Sequence, residues 1–137
     1  MKKIILYSLT LMAISLCACK KESVSEPKPK TNQEKILGKW NEISEVTNNY
    51  YNGTPHITTY TLQAGSYMEF KAGGKVTEYN SGSTFIYDYG FIDESNIWLG
   101  FIDNKYHLNT LTESDLQLYK KDVSGADYYE STLNLKK

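Results

Sequence analysis

Arginine is absent from this 137-residue chain, so all 15 of its basic residues are lysines. Planar, bidentate recognition of phosphate or carboxylate normally uses arginine, and the lysines form no concentrated basic face in the domain. Nucleic-acid binding is therefore not expected. Cysteine is nearly as scarce. The two present, Cys17 and Cys19, close an N-terminal apolar run. From Lys20 onward there is none, which removes disulfide staples, thiol nucleophiles and cysteine-ligated metals. Long apolar runs are missing too: Ile4 to Leu16 spans 13 residues, against about 20 for a helix that crosses a bilayer. Patterns for catalysis are equally thin. His56 and His107 lie 51 positions apart with no H-E-x-x-H arrangement, and a zinc site would need a third ligand. No G-x-S-x-G elbow occurs, and Gly73-Gly74-Lys75 lacks the spacing and hydroxyl of a phosphate loop. Asp93, Glu94 and Asp103 fall in turn clusters, and Asn52-Gly53-Thr54 reads as a turn before it reads as a sequon. The chain is expected not to be an enzyme and to carry no metal or cofactor.

What is present begins with an address. Lys2 and Lys3 precede the apolar run, which ends in Leu16-Cys17-Ala18-Cys19. The basic start and the run of 13 suit a signal peptide. The four residues resemble the lipobox of bacterial lipoproteins. That resemblance implies removal of residues 1–18, lipidation of Cys19 and a permanent acyl anchor; the alternative is an ordinary signal cut after Ala18. Lys20 stands where an aspartate would resemble an inner-membrane retention signal, so the outer membrane is the expected location, with the face unresolved. Residues 19–30, ending in KKESVSEPKPK, cannot bury enough apolar surface to offset ordering entropy and read as a tether. Without Lys2 and Lys3 the balance is 13 basic against 16 acidic residues, a net of −3.

The domain, residues 31–137, is of a size for one core. Thr31-Asn32-Gln33-Glu34 fits a capping box, Ile36 and Leu37 give a short helical turn an apolar side, and Gly38 ends it. Beyond Gly38 the signals are strand. The chain has 12 tyrosines, which with its threonines, isoleucines and phenylalanines suit pleated surfaces. Turn clusters recur about every 8–12 residues. They leave strands near 39–47, 56–63, 67–71, 75–79, 84–92, 97–102, 105–111, 115–121 and 127–136, with a turn at Asn48-Asn49. Connections this short forbid crossover helices, so the sheet is expected to be antiparallel. With no helical layer to cover its apolar face, it should close on itself. The expectation is an all-β, up-and-down barrel of about 8–9 strands.

Alternation assigns faces. Phe85, Tyr87, Tyr89 and Phe91 share one side, as do Ile97, Leu99 and Phe101; Met68 with Phe70, Tyr106 with Leu108, Leu116 with Leu118, and Leu133 with Leu135 behave likewise. All are expected to point inward. Trp98 has the opposite parity and should point outward beside Ile86 or Ile102, unless a bulge at Gly100 or the N-terminal turn covers it. His107 should face solvent.

Leu37-Gly38-Lys39-Trp40 resembles the opening L-G-x-W of bacterial lipocalin-like domains. Phe70-Lys71-Ala72-Gly73-Gly74 resembles their central F-x-x-x-G hairpin, and the stretch from Tyr106 to Leu118 their late Y-x-L-x-x-L-x-x-x-x-L-x-L. The resemblance covers roughly residues 34 to 136 and implies a lipocalin-like barrel whose tryptophan plugs the closed end. One feature departs from lipocalins, which pack a late-strand arginine over that tryptophan. Here a lysine such as Lys120 or Lys136 would have to substitute, and the classical transport family is not implied. The expected ligand is small and apolar or amphipathic, contacting Trp40, Met68, Phe70, Phe85, Tyr87, Tyr89, Leu99, Phe101, Tyr106, Leu108 and Leu118, unless these side chains simply fill the barrel. The rival is a surface module that meets a protein or glycan through Trp98, Tyr50 and Tyr51. A monomer held on a membrane is expected in both cases.

Overall fold

The computed structural model describes residues 28–137. The lipobox with Cys19, the signal peptide and most of the tether lie outside the described residues. Helix α1, Asn32–Ile36, opens the domain with the capping box in place. The Glu34 amide donates to Thr31 Oγ1 at 3.3 Å, and the Thr31 amide donates to Glu34 Oε2 at 2.7 Å. Such a cap is worth about 1 kcal/mol, and burial of Ile36 in the core supplies what a five-residue helix that could not nucleate alone still needs.

Nine strands follow: β1 (Gly38–Tyr51), β2 (Thr54–Thr61), β3 (Tyr67–Lys71), β4 (Lys75–Asn80), β5 (Ser83–Phe91), β6 (Asn96–Leu99), β7 (Lys105–Leu111), β8 (Asp115–Ser124) and β9 (Asp127–Lys136). Every pairing is antiparallel. The order β1-β3-β4-β5-β6-β7-β8-β9 returns to β1 through a β1–β9 ladder, which closes an eight-stranded barrel. The ninth strand, β2, stands outside the ring. β1 is long enough to pair with β3 over Gly38–Asn41 and then with β2 over Ser44–Tyr51 on the same edge. No turn forms at Asn48-Asn49; β1 runs through both and turns at Asn52 and Gly53, whose φ values of 52° and 77° make the two-residue primed turn that matches strand twist.

Two bulges decide which side chains enter the barrel. Register with β9 slips between Glu42 and Ser44, leaving Ile43 as an extra, outward residue. The inward set on β1 is therefore Trp40 and Glu42, then Glu45 and Thr47, in place of the Ser44 and Val46 that unbroken alternation would choose. In β7 a slip between Leu108 and Thr110 brings both Leu108 and Leu111 to the interior.

The core gathers at one end of the barrel. Ile36, Trp40, Met68, Phe70, Val76, Tyr89, Ile97, Leu99, Leu108, Leu116, Leu118 and Leu135 are all buried there. Trp40 plugs that base: its Nε1 donates to the Ile36 carbonyl at 2.6 Å. The cation above it is Lys137, and neither Lys120 nor Lys136 fills that place. Lys137 Nζ lies 4.2 Å from the Trp40 ring centroid and donates to the Lys35 carbonyl at 2.9 Å. β9 runs toward the base, so its end delivers Lys137 there, whereas Lys120 lies half a barrel higher.

Two expected core residues are displaced. Phe101 belongs to the turn between β6 and β7, because β6 ends at Leu99, and is 69% exposed. Phe85 pairs with Glu78 close to the Ser81-Gly82 turn, above the level where side chains fill the barrel, and is 54% exposed. Leu118→Ala should thus cost about 2–5 kcal/mol, whereas Phe101→Ala should stay within about 0.5 kcal/mol of wild type. Urea unfolding of the two variants checks the pair.

Candidate functional site

Above the apolar base the interior changes character. Glu42 and Glu45 from β1, Glu78 from β4, Tyr87 from β5, Tyr106 from β7, Lys120 and Asp122 from β8, and Tyr129 and Ser131 from β9 turn inward. Their place follows from the register: Glu78 shares parity with Val76, Lys120 with Leu118, Ser131 with Leu133 and Leu135. The layer lies between the core and the mouth, where the β1–β2, β4–β5, β6–β7 and β8–β9 turns meet.

Hydrogen bonds tie parts of this layer together. Tyr87 Oη donates to Glu78 Oε2 at 2.5 Å. Ser131 Oγ donates to Glu45 Oε1 at 2.6 Å, and Tyr129 Oη reaches the same oxygen at 3.5 Å. Lys120 pairs with Asp122 at 2.9 Å, with side chains 25% and 58% exposed, so solvent reaches this pair.

Glu42 has no such support. It is 8% exposed, and no hydrogen bond or ion pair involves its side chain among the described residues. Burial, with Glu78 and Glu45 nearby, pushes its carboxyl up from 4.5 to about 7. Burial likewise raises Tyr87, with the Glu78 carboxylate adding to it. Tyr106 is also raised by burial, against a lowering from Asn104. Thr47 Oγ1 is buried without a partner, in register with Ser131. The layer therefore sets four carboxylates against one ammonium. No group of three or more histidine, cysteine, aspartate or glutamate side chains among the described residues is arranged to hold a metal.

The residues expected to line a ligand divide by height. Trp40, Met68, Phe70, Tyr89, Leu99, Leu108 and Leu118 form the packed base. Tyr87 and Tyr106 belong to the polar layer. Phe85 and Phe101 stand at the mouth. Glu42, Glu45, Glu78, Lys120 and Tyr129, the charged and hydroxyl-bearing part of the lumen, were missing from that set. Parity with Trp40, Val76 and Leu118 points to Glu42, Glu78 and Lys120; nothing in the sequence announces the bulge that turns Glu45 inward.

The outer-surface candidates are dispersed. Trp98 is half-buried and its ring lies over Gly90, where a Cβ would come within 2.7 Å of its Nε1. Tyr50 stacks on Tyr128 at 4.9 Å, and Tyr51 on His56 at 4.2 Å. His107 is exposed and contacts Asn96 Oδ1 at 3.0 Å. Two recesses lie away from the core residues: one of about 600 Å³ where the tether meets α1 and the β5–β6 turn, the other of about 220 Å³ at the β8–β9 tip. Compared with protein-family models and with curated proteins, the chain matches none.

A raised acid binds more protons folded than unfolded between its two pKa values. Glu42 therefore lowers stability as pH climbs from 4.5 to about 7, with the loss complete above that. Glu42→Gln should stabilise the domain at pH 8 by on the order of 2–3 kcal/mol and differ little from wild type near pH 4.5. Urea midpoints of both proteins across that range measure it.

Proposed function

We propose that the protein is a lipid-anchored, lipocalin-like carrier or receptor for a small amphipathic molecule, taken up in the mouth half of the barrel. One observation carries this reading: the interior is solidly apolar at the base yet polar and charged above it, with solvent at the Lys120–Asp122 pair. A barrel of eight strands either fills with side chains or holds one small ligand, and this interior divides between the two. Stability alone would favour continuing the apolar core to the mouth. Keeping carboxylates and tyrosine hydroxyls there costs desolvation, which the Tyr87–Glu78 and Ser131–Glu45 hydrogen bonds offset in part and a bound partner would offset further. Aromatic surface with a few polar groups is the usual make-up of a small-molecule site.

The anchor rests on Leu16-Cys17-Ala18-Cys19 and the basic, apolar segment before it. A lipidated Cys19 followed by Lys20 suits the outer membrane, and residues 19–30 would hold the barrel off the lipid surface. The resemblance to lipocalin-like lipoproteins is supported further by the Trp40 plug at the barrel base, with Lys137 where lipocalins place arginine. The alternative, a surface module that contacts a protein or glycan, draws on β2, every residue of which is exposed.

Two measurements test these readings. Cys19→Ala should move the full-length protein from the membrane to the soluble fraction and abolish acyl labelling; continued membrane retention would refute the anchor. The neutral dye N-phenyl-1-naphthylamine should bind the full chain one to one. Tyr106→Trp, which adds bulk within the polar layer, should weaken it roughly tenfold, or about 1.4 kcal/mol, while Trp98→Ala on the outer face leaves it unchanged. Loss in Trp98→Ala alone would assign binding to the exterior.

A further inference from the structure

Three carboxylates in the polar layer have no cation to neutralise them. The six ion pairs among the described residues use Glu69, Asp88, Glu113, Asp115, Asp122 and Glu130. Glu42, Glu45 and Glu78 take part in none. The one lysine in the lumen, Lys120, is committed to Asp122. Glu45 and Glu78 at least accept hydroxyl hydrogen bonds; Glu42, 8% exposed, accepts none from the described residues.

A second observation is independent of the charges. Thr47, 5% exposed, faces the same lumen in register with Ser131, and its hydroxyl oxygen has no partner. Buried hydroxyls are nearly always hydrogen-bonded. An acceptor left open beside unneutralised carboxylates suits an incoming donor that carries positive charge.

We propose that the mouth half of the barrel binds an organic ammonium group, its head held by Glu42 with Glu45 and Glu78 and its apolar body lying toward Phe85 and Phe101 at the rim. The inference rests on the small-molecule reading given above and names the chemistry of that ligand. A primary ammonium brings three donors and no acceptor, which suits carboxylates and the Thr47 hydroxyl oxygen. Tyr87, Tyr106 and Tyr129 add aromatic faces, and a cation gains from such faces most where water is excluded. A metal ion is a poorer fit, since no set of three ligating side chains is in place. Polarity sets the orientation. The base is closed by packed side chains, the acidic layer comes next, and exposed aromatics stand outermost, so the charged head goes in first.

The charged head has two natural sources, a free alkylamine or an aminophospholipid headgroup. Isothermal titration of the full chain at neutral pH with n-octylammonium, 1-octanol, octanoate and dihexanoylphosphatidylethanolamine separates them. Octylammonium should bind one to one, at least tenfold tighter than octanol, with octanoate weaker still. Glu42→Gln and Glu78→Gln, made separately, should each weaken octylammonium tenfold or more and leave octanol unchanged. Thermal melts accompany both, and if one variant fails to fold the other still decides. Equal or tighter binding of the phosphatidylethanolamine assigns the head to a lipid, and binding of octylammonium alone assigns it to a free amine. If octanol and octanoate bind as well as octylammonium, or if neither glutamine variant discriminates, the ammonium assignment is overturned while the small-molecule site stands. Failure of all four probes overturns both.

Discussion

Closure of the sheet through the ladder between β1 and β9 gives eight strands a single shared interior, and each inward side chain must suit the seven strands it does not belong to. That ladder joins residues some 80 to 90 positions apart, such as Asn49 with Tyr129 and Glu45 with Leu133. Bringing them together costs loop-closure entropy that is recovered only when the interior fills. The apolar base recovers it. Trp40 and Ile36 cover the end of the cylinder, and Lys137 closes over the indole. Once the base is packed, the upper half of the barrel no longer has to contribute apolar burial, and it carries polar groups.

The bulge at Ile43 sits where β1 exchanges β3 for β2 on one edge while it keeps β9 on the other. The Glu42 amide bonds the Ser66 carbonyl and the Ile43 carbonyl receives the Leu62 amide, so the changeover leaves its backbone groups satisfied. Its consequence is chemical. Shifting parity by one residue brings Glu45 and Thr47 inside with Glu42, and sets the carboxylates near one another. Burial first, and then Glu78 and Glu45, raise the Glu42 carboxyl to about 7. A neutral side chain at this position would avoid that cost, so the acidic layer is kept against the stability of the barrel.

Much of the scaffold was legible in advance. The capping box at Thr31 and Glu34, the nine strand segments, and the inward parity of Met68, Phe70, Leu99 and Leu118 all follow from local pattern, because turn residues and period-two hydrophobicity act over a few residues. Errors fell where register matters. Phe101 was assigned to a strand that ends two residues earlier, and Phe85 has the right parity at a height where the barrel is no longer filled. Alternation reports a face and carries no information about height.

The candidate site was harder to read for the same reason. Glu42, Glu78 and Lys120 share parity with core residues, yet a charged residue between apolar ones reads as solvent-facing when strands are taken singly. By itself the sequence determined the capped helical turn and the antiparallel strands, set by composition and near-neighbour pattern, while the Trp40 plug at the base was what the resemblance to lipocalin-like domains implied. Only the tertiary structure decided which strand leaves the ring, which lysine covers the tryptophan, and that three glutamates from two strands face one another. Those outcomes depend on bulges and on pairings between distant segments, whose energies exist only once the cylinder has closed.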